Sequence, residues 1–358
     1  MVDINLIRDL TNAFGPTGFE DDVVEVIKKY GQAFQLEVDA MNNVIARLAK
    51  NTGKKPVIML DAHTDEVGFM VQAITSKGLL SIVNLGGWDV TNIPAHKFLI
   101  KNRNNEFITG ISTSKPPHFQ TDVEKQNSKL NLTEIFIDVG ATSRQEVMED
   151  FGIQIGDPVA PKVAFEYHQK NDILLGKAFD NRLGCVCILE TMKALLTKQL
   201  NVEVIGGFAA QEEVGMRGAQ VTSQLISPDL AIVFEGSPAD DVYYDEFKAQ
   251  CSLKKGVQIR HFDQSYVSSP TFINYAKQLA DDNHIKYQSA VRSKGSTNAG
   301  KIHLTNQAVP VLVLGIPSRY AHTHYNYCAL EDIEATIALA IKVIENLNQA
   351  ALAKILKK

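Results

Sequence analysis

The apolar run Val202-Glu203-Val204-Ile205-Gly206-Gly207-Phe208-Ala209-Ala210 ends in Gln211-Glu212-Glu213-Val214-Gly215, and this junction constrains the fold more than any other stretch of the chain. A short continuous apolar run reads as a strand buried on both faces, as in a parallel sheet covered by helices. An ionised Glu is rarely buried there unless it is paired or bound to a metal. Neighbouring side chains on an extended segment point to opposite sides, so Glu212 and Glu213 cannot do the same job. One can hold a cation while the other handles a proton. Two ordinary surface acids on a solvated strand end are the competing reading, and the rest of the chain decides between them.

The chain has 358 residues, more than a single core usually holds, so two structural units are expected. A net charge of −5 and the lack of any basic stripe argue against a nucleic-acid or anionic-membrane partner. No apolar run approaches the ~20 residues that span a bilayer. Met1–Leu10 carries acids among its apolar residues, so no secretory leader is expected there. Cys185, Cys187, Cys251 and Cys328 form no C-x-x-C pair and read as buried thiols of a reduced compartment. The expected location is the cytoplasm.

Residues 3–30 are predicted helical with a break at Gly15-Pro16-Thr17-Gly18. The segment 55–60 is a predicted strand leading into Asp61-Ala62-His63-Thr64-Asp65-Glu66-Val67-Gly68. After residue 182, predicted strands at 202–208, 230–234 and 309–314 alternate with helices at 182–200, 269–283 and 331–356, the pattern of an α/β layer. Residues 71–165 differ. Short alternating strands at 98–100, 107–111 and 134–140 are separated by Gly86-Gly87, Asn104-Asn105 and Pro116-Pro117, with an exposed loop expected over 121–129. The expected organisation is therefore a mixed-sheet α/β domain from 1–70 and 166–358, interrupted by a mostly β domain at 71–165.

Polar residues gather where the apolar strands of the α/β unit end. His63 and Asp65 follow one strand, Glu212 and Glu213 another, Glu235 closes a third, and His322 follows the last. Asp180 sits at a predicted helix start. Each has an ordinary explanation on its own, and for Asp180 it is a helix cap. His324 competes with His322 for a cleft-facing position. Open α/β sheets bind ligands beyond the carboxyl ends of their strands, so these residues should converge. Two imidazoles with several carboxylates suit a borderline divalent metal, zinc above all.

Four segments carry a resemblance: Asp61–Gly68, Lys177–Arg182, Gln211–Ala219 and Pro317–His322. In order and spacing they resemble the motifs of metallopeptidase family forty-two, which contains glutamyl aminopeptidase and the tetrahedral TET aminopeptidases. The similarity runs from Gly15-Pro16-Thr17-Gly18-Phe19-Glu20 to the C-terminal helix. It implies an α/β metallo-exopeptidase domain with an inserted β-rich dimerisation domain, and two divalent ions per subunit, zinc first, with cobalt or manganese as alternatives. By the resemblance, His63 and Glu235 bind one ion, Glu213 and His322 the other, and Asp180 bridges them through a cis-like Asp180-Asn181 peptide. Asp65 orients His63, and Glu212 is the general base. Short peptides are the implied substrates, and a dimer or a tetrahedral dodecamer the implied assembly.

Two segments depart from the family pattern. Glu235 stands where many relatives carry Asp. Gly295-Ser296-Thr297-Asn298-Ala299-Gly300-Lys301-Ile302-His303 carries Asn298 in place of an acid and adds Lys301. Lys301, Arg260, Asn298 and Arg319 are the expected substrate contacts, and the cations suggest a preference for acidic N-terminal residues. Two rival functions use the same residues: an N-acyl amino acid deacylase or deblocking peptidase, and a metal-containing binding protein without turnover.

Overall fold

Four apolar runs become the parallel centre of one sheet. In spatial order they are Glu203–Ala209, Val57–His63, Leu230–Pro238 and Val311–Ser318. The computed structural model describes residues 2–121 and 130–357, so the expected loop lies outside the described residues except for Thr121. The chain divides into two compact units, one of Met1–Asp65, Phe165–Ala321 and Tyr325–Lys358, the other of Glu66–Ala164 and His322–His324.

In the first unit, antiparallel strands flank the parallel centre. Val44–Arg47 and Gln35–Val38 lie on one side, Val257–Asp263 and Tyr266–Val267 on the other, which makes the nine-stranded sheet mixed. Every residue of Glu203–Ala209 and Val311–Ser318 is buried, as helices on both faces require. The helix Phe179–Leu195 packs on Val57–His63 and Leu230–Pro238, and Leu330–Asn346 packs beside it on Val257–Asp263 and Val311–Ser318. Gly206 lets that helix come close, since a Cβ there would sit 2.8 Å from Met192 Sδ. The helix Arg217–Ile226, which the sequence reading did not mark, packs against Glu203–Ala209 and Val57–His63.

Two boundaries differ from the sequence reading. The third strand runs on to Pro238, because parallel pairing with Val311–Ser318 continues from Glu235↔Gly315 to Pro238↔Ser318. Glu235 therefore lies inside a strand and does not close one. The predicted helix 331–356 is two helices, Leu330–Asn346 and Gln349–Leu356. Asn348 restarts the second by accepting from Ala351 N at 2.9 Å, a side-chain cap that competes with helix continuation.

The second unit is a closed antiparallel barrel. Its strands follow the order Gly68–Ile74, Leu80–Leu85, Phe136–Asp138, Phe107–Ser112, Lys97–Lys101 and Pro158–Pro161. Closure removes the exposed edges that short strands would otherwise present. Phe69, Phe98, Ile100, Ile137 and Val159 fill its core. Among the described residues, no helix is long and apolar enough to cross a membrane.

Arg182 is wholly buried, and its guanidinium ends on backbone carbonyls. Nη1 donates to Leu10 O at 2.8 Å and Ala13 O at 3.3 Å, and Nη2 donates to Gly15 O at 3.1 Å. These bonds satisfy carbonyls at the end of the helix Ile4–Asn12 that have no partner within it. Arg182→Leu fills the space but takes the guanidinium from Leu10 O and Gly15 O, leaving Ala13 O to Lys177, at a cost of about 3 kcal/mol. Urea unfolding measures the loss, and a change well under about 1 kcal/mol would contradict the assignment.

Candidate metal centre

Parallel register does the first half of the assembly. Asp61 pairs with Val233, and continuing that register by two residues sets His63 beside Glu235. The atoms agree: His63 Nε2 lies 3.1 Å from Asp180 Oδ1, 3.7 Å from Glu235 Oε1 and 4.0 Å from Glu212 Oε2. Asp180 reaches this point because the start of its helix is irregular. Its φ of −85° and ψ of 103° are non-helical, and the Asp180-Asn181 peptide is cis. Asn181 Nδ2 ties the segment to Phe234 O at 2.8 Å. Gly236 admits the close approach, since a Cβ there would fall 2.5 Å from Asp180 Cα.

The other ring nitrogen of His63 faces Asp65, with Nδ1 3.4 Å from Oδ1 and 3.2 Å from the Asp65 carbonyl. Asp65 is fully buried and bonds in several directions at once. Oδ1 accepts from Glu212 N at 2.9 Å, while Oδ2 accepts from Glu213 N at 3.1 Å and from Thr17 Oγ1 at 2.7 Å. One carboxylate thus sets both the imidazole and the backbone that carries the two glutamates.

The crowding of like charge shows in the protonation of the site. Burial disfavours the imidazolium of His63, yet bonds to Asp180, Asp65 and Glu235 outweigh it and hold His63 well above its ordinary value. Burial pushes Glu212 well above the usual carboxylate range; Glu213 and Glu235 add to the shift, and His63 opposes it. Burial and the Asp180 charge push Glu235 up to about 8. Among the described residues, Glu235 Oε2 is buried without a hydrogen-bond partner. Ligand atoms of His63, Asp180 and Glu235 lie within 4.8 Å of one another, as do those of His63, Glu212 and Glu213. Oxygen donors crowded around an imidazole, one of them without a hydrogen-bond partner among the described residues, are a donor set that a divalent cation fits.

His322 and His324 belong to the barrel unit. His324 is 2% exposed and stacks on His96 at 4.0 Å, with the edges of Trp88 and Phe98 beside it. Burial, then the His96 charge, lowers it to about 3, so it packs as a neutral ring. The Nδ1 of His322 lies 2.9 Å from Gly87 O.

Three of the expected substrate contacts are committed inside the fold. Arg260, 4% exposed, bonds Ser237 Oγ at 2.7 Å and lies 3.4 Å from Asp263. Asn298 donates to buried Asp61 at 2.8 Å. Arg319 grips both oxygens of Asp241, at 2.9 and 2.7 Å. Asn298 and Arg319 bond partners 237 and 78 residues away, and Arg260 bonds Ser237 23 residues away, pairings that no local sequence pattern marks. Conversely, Thr17 and Asn43 support the site and the sequence reading missed them. Thr17 had a signal in the Gly-Pro-Thr-Gly turn; Asn43, whose Oδ1 accepts from Ala210 N at 2.8 Å, had none.

Without metal, folded His63 and Glu235 both hold protons more tightly than the unfolded chain does. The Glu235 contribution to stability is full below the ordinary carboxyl value of 4.5 and drains as pH rises to about 8, while that of His63 is full below 6.5 and is lost only above it. Chelator-stripped protein should therefore lose Tm steadily across that window, and saturating zinc or cobalt should remove the slope. A stripped protein that gains Tm with pH would contradict this.

A family model described as M42 glutamyl aminopeptidase matches residues 42–339. The glutamyl aminopeptidase of Lactococcus lactis subsp. cremoris (strain MG1363) is 32% identical over 352 residues, covering 98% of each chain. The crystal structure of a TET aminopeptidase from the marine sediment archaeon Thaumarchaeota archaeon SCGC AB-539-E09 has a TM-score of 0.92 at 33% identity, again covering 98% of each chain. A Pyrococcus horikoshii TET1 peptidase, described as able to assemble into a tetrahedron or a large octahedral shell, has a TM-score of 0.85 at 26% identity, covering 96% of this chain and 99% of that one. The chain belongs to the M42 glutamyl aminopeptidase family and is a hydrolase of the aminopeptidase class, with a mixed α/β fold and a separate β-barrel.

Proposed function

We propose that the chain is a co-catalytic dinuclear aminopeptidase that removes N-terminal residues from short peptides. The observation that carries this is the convergence of Asp180, Glu212 and Glu235 on His63 Nε2. His63 and Glu235 would hold one ion, Glu213 and His322 the second, with Asp180 between them. Zinc suits this mixture of imidazole and carboxylate, and cobalt or manganese would also fit. When bound, the pair supplies Lewis acidity, polarising the peptide carbonyl and lowering the pKa of an intervening water.

The protein's own part is proton handling and orientation. Glu212, the most distant of the three carboxylates, accepts the proton of the attacking water and returns it to the departing amine. Asp65 fixes the tautomer and plane of His63. Glu212→Gln should keep both ions and lose turnover by about a thousandfold. Metal analysis with a peptide-anilide assay measures both, and retained turnover with full metal would sink the base assignment.

Lys301 supports a preference for acidic N-terminal residues. It lies on the short helix Ala299–Ile302, in the segment that Asn298 ties to Asp61, two residues before His63. Lys301→Ala should lower the ratio of Glu- to Leu-anilide turnover by about fivefold, the worth of one partly exposed ion pair. An unchanged ratio would remove Lys301. The likeness to a relative described as assembling into a tetrahedron or a large octahedral shell supports a homo-oligomer; the reading extends to the barrel as the dimer contact, enclosure that restricts substrates to short or unfolded peptides, and a cytoplasmic location.

A further inference from the structure

The loop that carries Glu212 is pinned at four consecutive backbone N–H groups, each by a side chain from elsewhere. Ala210 N donates to Asn43 Oδ1 at 2.8 Å, Gln211 N to Glu20 Oε1 at 3.2 Å, Glu212 N to Asp65 Oδ1 at 2.9 Å and Glu213 N to Asp65 Oδ2 at 3.1 Å. Gln211 needs its pin most, because its φ of 55° is a left-handed conformation that non-glycine residues seldom adopt. From the geometry we infer that Glu20 is a positioning residue for hydrolysis, holding Gln211 so that the adjacent Glu212 carboxyl stays aimed at the reacting water; this rests on Glu212 being the base.

Ordinary structural roles do not account for Glu20. It stands at the N-cap of the helix Asp21–Tyr30 yet makes no side-chain cap bond to it. Its carboxyl turns back instead. Oε1 takes Gly18 N at 2.7 Å as well as Gln211 N, while Oε2 is buried with no partner among the described residues. Burial and the nearby Asp65 charge push Glu20 up to about 7, so its presence here is costly.

The turn bearing Glu20 is itself anchored. Thr17 Oγ1 bonds Asp65, and Arg182 bonds Gly15 O. Lys177 Nζ donates to Ala13 O at 3.0 Å just before it. Glu20 and Asp65 thus reach the catalytic loop from one rigid support, side by side on successive N–H groups. Removing Glu20 frees Gln211 to leave its left-handed conformation and loosens the N-terminal side of Glu212, while Asp65 still holds the Glu213 N–H.

The test compares Glu20→Ala and Glu20→Gln with wild type in steady-state peptide-anilide hydrolysis, using cobalt-loaded enzyme whose absorption spectrum reports the metal sites. Glu20→Ala should lower kcat by about 100-fold, as expected for a misplaced catalytic group, with KM within about twofold and the cobalt spectrum unchanged. Glu20→Gln keeps the accepting oxygen and should recover most of the lost kcat. Glu20→Ala with wild-type kcat, a loss that tracks metal content, or a glutamine variant as poor as the alanine one would each overturn the inference. Glu212→Gln in the same assay separates the two levels. If it is inactive while Glu20→Ala is fully active, only the positioning role fails; if it is active, the base assignment fails.

Discussion

The Asp65 carboxylate is the interaction on which the rest of the site depends. It is fully buried, where an isolated carboxylate would be intolerable, and it is kept ionised by what it holds. Burial raises its proton affinity, but His63, Thr17 and the Glu212 N–H bring it below the usual range. Its bonds leave little freedom to the groups around it, because in a low-dielectric interior each bond broken would expose an unsatisfied charge. The ring plane of His63 and the backbone path of Glu212 and Glu213 are therefore coupled through one residue. A metal ligand and the proposed base are set by the same anchor.

The sheet supplies the coarse geometry that Asp65 refines. Parallel register brings His63 and the 210–213 loop, at the ends of two strands, together with Glu235 inside a third. The Asp180 segment comes from a helix that packs on the same strands and is drawn in at Gly236. The result is a concentration of negative charge that the fold tolerates only with protons or cations in it. That requirement ties folding and chemistry together, since the charge that a metal needs is the charge that the metal-free protein must suppress.

Much of this could be read from the residues themselves. Continuous apolar runs located the parallel strands, and short alternating runs with turn residues located the β-rich insertion. Acids and histidines after those runs marked His63, Glu212 and Glu235, and a predicted helix start marked Asp180; the fold brings the three carboxylates to His63. What escaped depends on tertiary partners. Glu235 read as a strand terminus because only pairing with Val311–Ser318 extends its strand. Arg260 and Arg319 read as substrate cations, whereas in the fold they bond Ser237 and Asp241, 23 and 78 residues away in the chain. Asn43 and Glu20 act across 167 and 191 residues of chain, on N–H groups that have no sequence signature.

The most direct measurement is anomalous diffraction at a metal absorption edge from crystals of the cobalt- or zinc-loaded enzyme. A paired-ion centre predicts two peaks about 4 Å apart, one between His63 and Glu235, the other between Glu213 and His322, with Asp180 reaching both. A single peak, or peaks away from these side chains, in crystals of protein that still hydrolyses peptides would contradict it.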